Sequence, residues 1–483
     1  MSKPSPANRK HEARGLHPYL SFLLVCMILC IKPAWAVEND PQILSEIEEL
    51  NRQILLKAIA MEKYNIAFRR ANNVQGRWRG WRYFVSQEAD VSTVNAGVIS
   101  QVAMRADIIE HPNRWTIASG RPVLDVHKPK NALIETSFYP QIIGQSIGAL
   151  GAAIELSINE HHHNQAVKAG YGANDAIRHM NGLKKDVARL FALRDAAAMR
   201  LGIKDLTDLE GAVLDDLVAI ALFEFYDFYC AASRFRVMQN SLYSLDFSKK
   251  MLGVAGNIVN VYSLHAKRPH VGGTAGVLTF SSGALIASAP IIARGAGKLA
   301  EIRCRRDVKA LIADLEPRNY YRLECDRKRL ADSIEERRRT GLEVSQKSLD
   351  AFDCYQEESL RRKEQLALAT REIRAGTRSA QDNVIAGLLI GSTKMALGVT
   401  NMVAGWDHAH DPIKANRILV GGNITYSAGL SYAMGDNLRL RIRDEFKRRE
   451  LLARGEMPLQ VLEKRAQSLD NLELQLRRYD RGL

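Results

Sequence analysis

The chain has 483 residues, with 68 Lys+Arg against 54 Asp+Glu for a net charge of +14, and 46 % of its residues are apolar. That apolar fraction excludes a wholly disordered chain. The basic excess is spread along the sequence, which argues against a dedicated nucleic-acid binder and favours anionic lipid or another acidic polymer as partner.

Residues 1–36 read as a signal peptide. Lys3, Arg9, Lys10 and Arg14 form a basic leader, Tyr19 to Ile31 an apolar run, and Ala34-Trp35-Ala36 a small-x-small cleavage site. The alternative is an uncleaved anchor, although the run is shorter than the ~20 residues a span needs. Either way the expected location is exported: a bacterial periplasm or cell envelope, membrane-associated.

Residues 37–75 read as a coiled-coil-like helix. Ile43, Leu50, Lys57 and Tyr64 share one heptad position, and Ile47, Ile54, Met61 and Phe68 the other. Packing on the rest of the chain is preferred to dimerisation, with a homo-oligomer left open.

Residues 76–245 form a longer helical region. It opens on Arg77-Trp78-Arg79-Gly80-Trp81-Arg82-Tyr83-Phe84, an alternation suited to a membrane interface or to core aromatics flanked by solvated arginines. Residues 113–131 are its minor β text, with Trp115-Thr116-Ile117 and Val123-Leu124-Asp125-Val126 about Ser119-Gly120. Residues 136–158 are apolar, with Gly144, Gly148 and Ala152 at spacing four, and His161-His162-His163 follows. Leu206, Leu209, Val213, Leu217, Ile220 and Phe223 then mark an amphipathic helix face.

Two stretches carry related text. Residues 246–300 hold Leu252-Gly253-Val254, Asn257-Ile258-Val259 and Thr279-Phe280-Ser281; residues 383–436 hold Leu397-Gly398-Val399, Asn401-Met402-Val403 and Thr425-Tyr426-Ser427. Each is two small-residue apolar arms about a polar tip, at His265–His270 and Asp407–Pro412. This is a duplicated Gly/Ala/Ser-rich helical hairpin.

Small residues at every fourth position let helices approach closely. Gly272, Gly276 and Gly283 offer such positions in the first hairpin, and Gly387 and Gly391 in the second. Gly421, Thr425, Gly429 and Ala433 form one stripe of the last arm, and Ser427, Ser431 and Gly435 another. The run Val271 to Ala293 is uncharged and long enough to span a bilayer, whereas Lys394 sits at the centre of Asn383 to Gly405, where lipid would make it costly. Inserted hairpins and a tight soluble stack are the two readings of this pattern.

Between the hairpins, residues 301–382 are dense in both charge signs and broken at Pro317 and Gly341, as in exposed ion-laced helices. Residues 437–483 form a basic C-terminal helix. Four cysteines follow the leader. Cys325 and Cys354 flank Thr340-Gly341 symmetrically, so the favoured disulfides are Cys325–Cys354 and Cys230–Cys304. Cys304–Cys325 is the rival pairing and four free thiols the alternative.

Little of the text carries legible chemistry. Gly144-Gln145-Ser146-Ile147-Gly148 resembles the nucleophile elbow of α/β-hydrolase esterases and lipases. The resemblance implies a strand over Tyr139–Ile143, a helix after it, and Ser146 as nucleophile. The surrounding succession of helices does not suit that fold. Glu160-His161-His162-His163 and His408-Ala409-His410-Asp411 are metal-capable but lack a diagnostic spacing. Asp215-Asp216 and Glu335-Glu336 read as solvated faces. The expectation is an all-α protein, an elongated antiparallel helical bundle with a coiled-coil-like body and the two hairpins. It has no cofactor, no enzymatic activity, and a structural or membrane-interacting role. A pore-forming protein is the alternative within that class, and a serine hydrolase using Ser146 the alternative outside it.

Overall fold

A computed structural model describes residues 41–72, 77–111, 134–201, 204–313, 315, 320–340 and 346–478. The leader and the β text lie outside the described residues. Among those described, 95 % are helical and none form strands. The helices are α1 (Pro41–Asn72), α2 (Arg77–Glu110), α3 (Phe138–Ala166), α4 (Ala173–Leu201), α5 (Lys204–His265), α6 (Pro269–Ile312), α7 (Tyr320–Arg339), α8 (Gln346–Trp406), α9 (Pro412–Ala453) and α10 (Pro458–Arg478). A π-helical turn over Val167–Tyr171, with Gly170 at φ 82°, joins α3 to α4.

The chain divides into two packing zones of opposite character. One is a helical body with an apolar core. Its centre is Ile54, Leu55, Met61 and Phe68 of α1, Leu214 to Tyr226 of α5, Val308 and Leu311 of α6, and Leu469 and Leu472 of α10. Seven-residue spacing on α1 puts Ile47, Ile54, Met61 and Phe68 inside, while Lys57 stays at the edge and pairs with Asp186 of α4 at 2.6 Å. The coiled-coil text is thus one wall of this body, packed on α4, α5 and α10. Asp216, expected on a solvated face, is buried beside Asp326, with Arg322 at 3.7 Å.

The second zone is a ring of six antiparallel helical segments. Gly144 and Gly151 of α3 lie on Asp90 and Ser86 of α2; Gly253 of α5 lies on Gln145 of α3; Gly256 of α5 meets Thr279 and Ala275 of α6. Gly276 and Gly283 of α6 meet Gly398 and Gly391 of α8, and Gly422 and Gly429 of α9 lie on Thr400 and Thr393 of α8. The Ser427 hydroxyl of α9 donates to Asn95 Oδ1 of α2 at 2.7 Å, which closes the ring. In each pair, residue numbers rise on one helix as they fall on its neighbour.

Three hairpins therefore close on one another: α2/α3, the end of α5 with the start of α6, and the end of α8 with the start of α9. The last two turn alike. Arg268 (φ −116°, ψ 80°) and Asp411 (φ −121°, ψ 86°) precede Pro269 and Pro412 at the first helical positions. Both preceding helices end on the same backbone bond, from Arg268 N to Ser263 O and from His408 N to Val403 O. The ends of α2 and α3 meet at that end of the ring too, where Gly97 packs on Ser137 and Gln141. At the other end α5, α6 and α8 run on without a break into the body.

Candidate functional site: a polar core inside an apolar ring

The six segments of the ring are inverted relative to the body. Their outer surface carries Ile143, Leu150 and Ile154 of α3, Ile258 of α5, Phe280 and Ile291 of α6, Leu388, Leu389 and Val399 of α8 and Ile424 of α9, all exposed. Their inner surface carries Asp90, Asn95 and Gln101 of α2, Gln141, Gln145 and Glu155 of α3, Asn257 of α5, Thr279 and Ser282 of α6, Lys394 of α8 and Asn423 of α9, all buried. Water rewards the opposite arrangement. Contiguous apolar surface is rare on soluble monomers, and buried charge is costly.

Three helices are long and apolar enough to cross a membrane: the one beginning at Ile134, Pro269–Ile312, and Val384–Trp406. Only 22 % of the most apolar window of Val384–Trp406 is buried against the rest of the chain. At 1.5 Å per residue its 23 residues reach about 34 Å, which matches a bilayer's hydrocarbon thickness of ~30 Å. These properties fit a membrane-associated helical protein.

Glycines determine how closely the ring packs. A Cβ at Gly276 would stand 2.6 Å from Met402 N, and one at Gly283 would stand 2.7 Å from Met395 N. Gly144 and Gly148 are equally tight against Asp90, and Gly387 receives the ring of Pro290. The tightest seam follows a spacing of seven, through Gly276 and Gly283 on α6 and Gly391, Gly398 and Gly405 on α8. Seven residues per two turns keeps one face toward an antiparallel neighbour in a left-handed pair. Gly272 sits more loosely, facing the Ser263 hydroxyl, while neighbouring Gly273 packs under Trp406. On α9, Gly429 and Ala433 are buried, but Gly421 has open space around it and Thr425 is exposed. Gly422 takes the seam position instead.

A layer of charge crosses the ring at mid-height. Lys250 of α5 pairs with Asp90 of α2, which is 1 % exposed. Lys249 Nζ lies 2.5 Å from Asp246 Oδ1, and the Tyr83 hydroxyl donates to the other oxygen of Asp246. Lys394 of α8 is 4 % exposed and lies over the Tyr426 ring at 5.8 Å. Its ammonium is within electrostatic reach of Lys249 and Lys250. Lys249 and Lys250 thus face the interior of the ring. Asp90 went unread in the sequence. Its only signal is that it opens the uncharged run Val91 to Met104 on a helix with a mid-run glycine, Gly97.

At the boundary between ring and body, the interface text of α2 makes polar ties. Arg82 Nε donates to Glu155 Oε1 at 2.6 Å, and the Arg441 guanidinium stacks over the Trp81 ring at 4.3 Å. The remaining motifs are scattered. Ser146 lies within α3, and Tyr139–Ile143 is helical, so Gly144–Gly148 is not a strand-to-helix elbow. The histidines after the apolar run diverge: His161 bonds Gln165, and His163 meets Arg236 of α5. The four cysteines are free thiols. Cys230 and Cys304 face each other in the body core with Sγ atoms 3.3 Å apart, while Cys325 and Cys354 are half-buried on α7 and α8.

No known protein family matches the chain, and neither does any curated protein or solved structure.

Proposed function

We propose that the chain is an integral membrane protein that crosses a bilayer six times, through α2, α3 and the ring segments of α5, α6, α8 and α9, and that its polar axis serves the passage of a small polar or charged solute. The supporting observation is the inverted ring, apolar outside and charged at mid-depth. Ionisable groups inside a membrane bundle are expensive and lie along ion and substrate pathways. A purely structural anchor has no use for Asp90, Asp246, Lys249, Lys250 and Lys394 in one layer. Side chains of Val94, Leu397, Tyr426 and Leu430 fill part of the axis, so this arrangement is a closed one.

A bacterial cell envelope is the proposed location, on the strength of the N-terminal leader. Arg82, Arg294, Arg303 and Arg441 at the body end of the ring suit anionic headgroups. The leader places the body on the exported side and the tips at Lys267 and His408 on the other. Alkaline carbonate washing of membranes tests insertion: retention of the full-length chain in the pellet is expected, and its release overturns the six-span reading. Reconstitution into anionic vesicles tests passage. Ion or small-solute flux above that of protein-free vesicles is expected, and none at any pH removes the passage role, leaving a membrane-anchored helical scaffold.

A further inference from the structure

The charged layer does not balance. Asp90 is matched by Lys250 and Asp246 by Lys249, which leaves the Lys394 ammonium as a third cation with two carboxylates already engaged. Lys394 makes no hydrogen bond or ion pair to any described residue, and its contact is the Tyr426 ring face. An isolated ammonium is strongly disfavoured in a low-dielectric interior, so it persists only if something neutralises it.

Several buried polar atoms around the layer lack a hydrogen-bond partner. Toward the tips they are mostly donors: Asn257 Nδ2 on α5, Gln101 Nε2 on α2 and Arg105 Nε further along α2. Gln145 Oε1 of α3, level with Gly253, is an unpartnered acceptor beside the layer. The tip half thus carries unpaired N–H groups leading inward from Arg105 to Lys394. An anion would satisfy each of these donors as it passed.

We propose that the layer holds a small inorganic anion of the halide class, bound between Lys394 and Lys250 and reached from the tip end past Arg105, Gln101 and Asn257. This rests on the membrane reading for its role in passage, but not for its existence as a site. The competing outcome is that Lys394 is held as the neutral amine with no ion bound.

The experiment titrates the purified full-length chain in detergent with sodium chloride, replaced by sodium gluconate to constant ionic strength, and follows the thermal unfolding midpoint. A saturable rise with chloride is expected, lost in Lys394→Met, retained in Lys394→Arg, and with the half-saturating concentration raised severalfold in Asn257→Leu. A flat wild-type titration overturns the proposal in favour of the neutral amine. An equal rise in Lys394→Met overturns it in favour of chloride bound elsewhere. If Lys394→Met does not fold, chloride-35 line broadening on the wild type decides, since absence of broadening at any chloride concentration also overturns the site. Because the protein is in detergent, failure here is separable from failure of the carbonate test.

Discussion

Gly283 of α6 and Gly391 of α8 are mutually exclusive with side chains. A Cβ on the first would stand 2.9 Å from the carbonyl oxygen of the second, and a Cβ on the second 2.7 Å from the carbonyl oxygen of the first. Backbone meets backbone, so no flexible group can move aside. Gly391→Ala is expected to lower stability by about 1–3 kcal/mol, as overpacking does, and Gly391→Leu to abolish the folded ring. Gly421→Ala, in open space, should be neutral or stabilising by up to ~1 kcal/mol through helix propensity. Thermal midpoints in detergent check the pair; equal effects at the two glycines would disprove the seam.

The body should be more stable in mild acid than in mild base. Burial raises the Glu210 carboxyl to about 7, against the opposing pull of Arg194 and Asn51. Burial and the neighbouring Asp326 charge raise Asp216 to about 7. In an unfolded chain both groups titrate near ~4. Their contribution is complete below that value and is lost as the pH rises through 7. The unfolding midpoint should therefore fall between pH 5 and pH 8, and Asp216→Asn should flatten the fall. A midpoint that climbs over this range in the wild type, and does so unchanged in the variant, contradicts the assignment.

Arg465 of α10 sits between two buried acids. Its Nε and Nη2 donate to Glu62 of α1 at 2.7 and 2.9 Å, and Nη2 also donates to Glu358 of α8. Arg465→Met would remove the buried cation that both carboxylates share, at a cost of about 3–5 kcal/mol. Replacing Glu62 and Glu358 by Met as well should recover most of that loss, because well-packed apolar groups often equal a buried ion network. Denaturant unfolding of the single and triple variants measures both numbers.

The facing thiols of Cys230 and Cys304 need to close only from 3.3 Å to the ~2.05 Å of a disulfide. Cys304 Sγ donates to Cys230 Sγ in the body core, so the two sulfurs are already in contact for oxidation. Mild oxidation of the folded chain should yield a Cys230–Cys304 crosslink ahead of any other pairing, read by peptide mass mapping. A dominant bridge to Cys325 would contradict this arrangement of α5 and α6.

Much of the fold is legible in the sequence because its signals are local. The paired Leu-Gly-Val and Thr-aromatic-Ser texts locate two hairpins, and the Pro after each tip locates their turns. The seven-residue pattern from Ile47 to Phe68 locates the α1 wall. What the sequence conceals is rotation and closure. Gly421 and Gly422 differ by ~100° about a helix, and only the position of Thr400 decides which of them is inside. Lys394 reads as a flaw in a span until α2 and α5 bring Asp90 and Lys250 to its level. Asp216 reads as solvated because its neighbour Asp326 arrives from a helix more than a hundred positions away.

The ring's last seam has a consequence for biosynthesis. Asn95 is bonded by Ser427 and Ser431 of α9, and the same helix supplies Asn416 to Arg105 and Asn437 to Glu88. These partners emerge from the ribosome more than three hundred residues after α2. On the proposed six-span reading, α2 waits throughout that interval with its polar face unclosed, sheltered by insertion machinery or held out of the lipid. α9 thus acts as the clasp that completes assembly, and nascent chains stopped before it should be the ones that quality-control proteases remove.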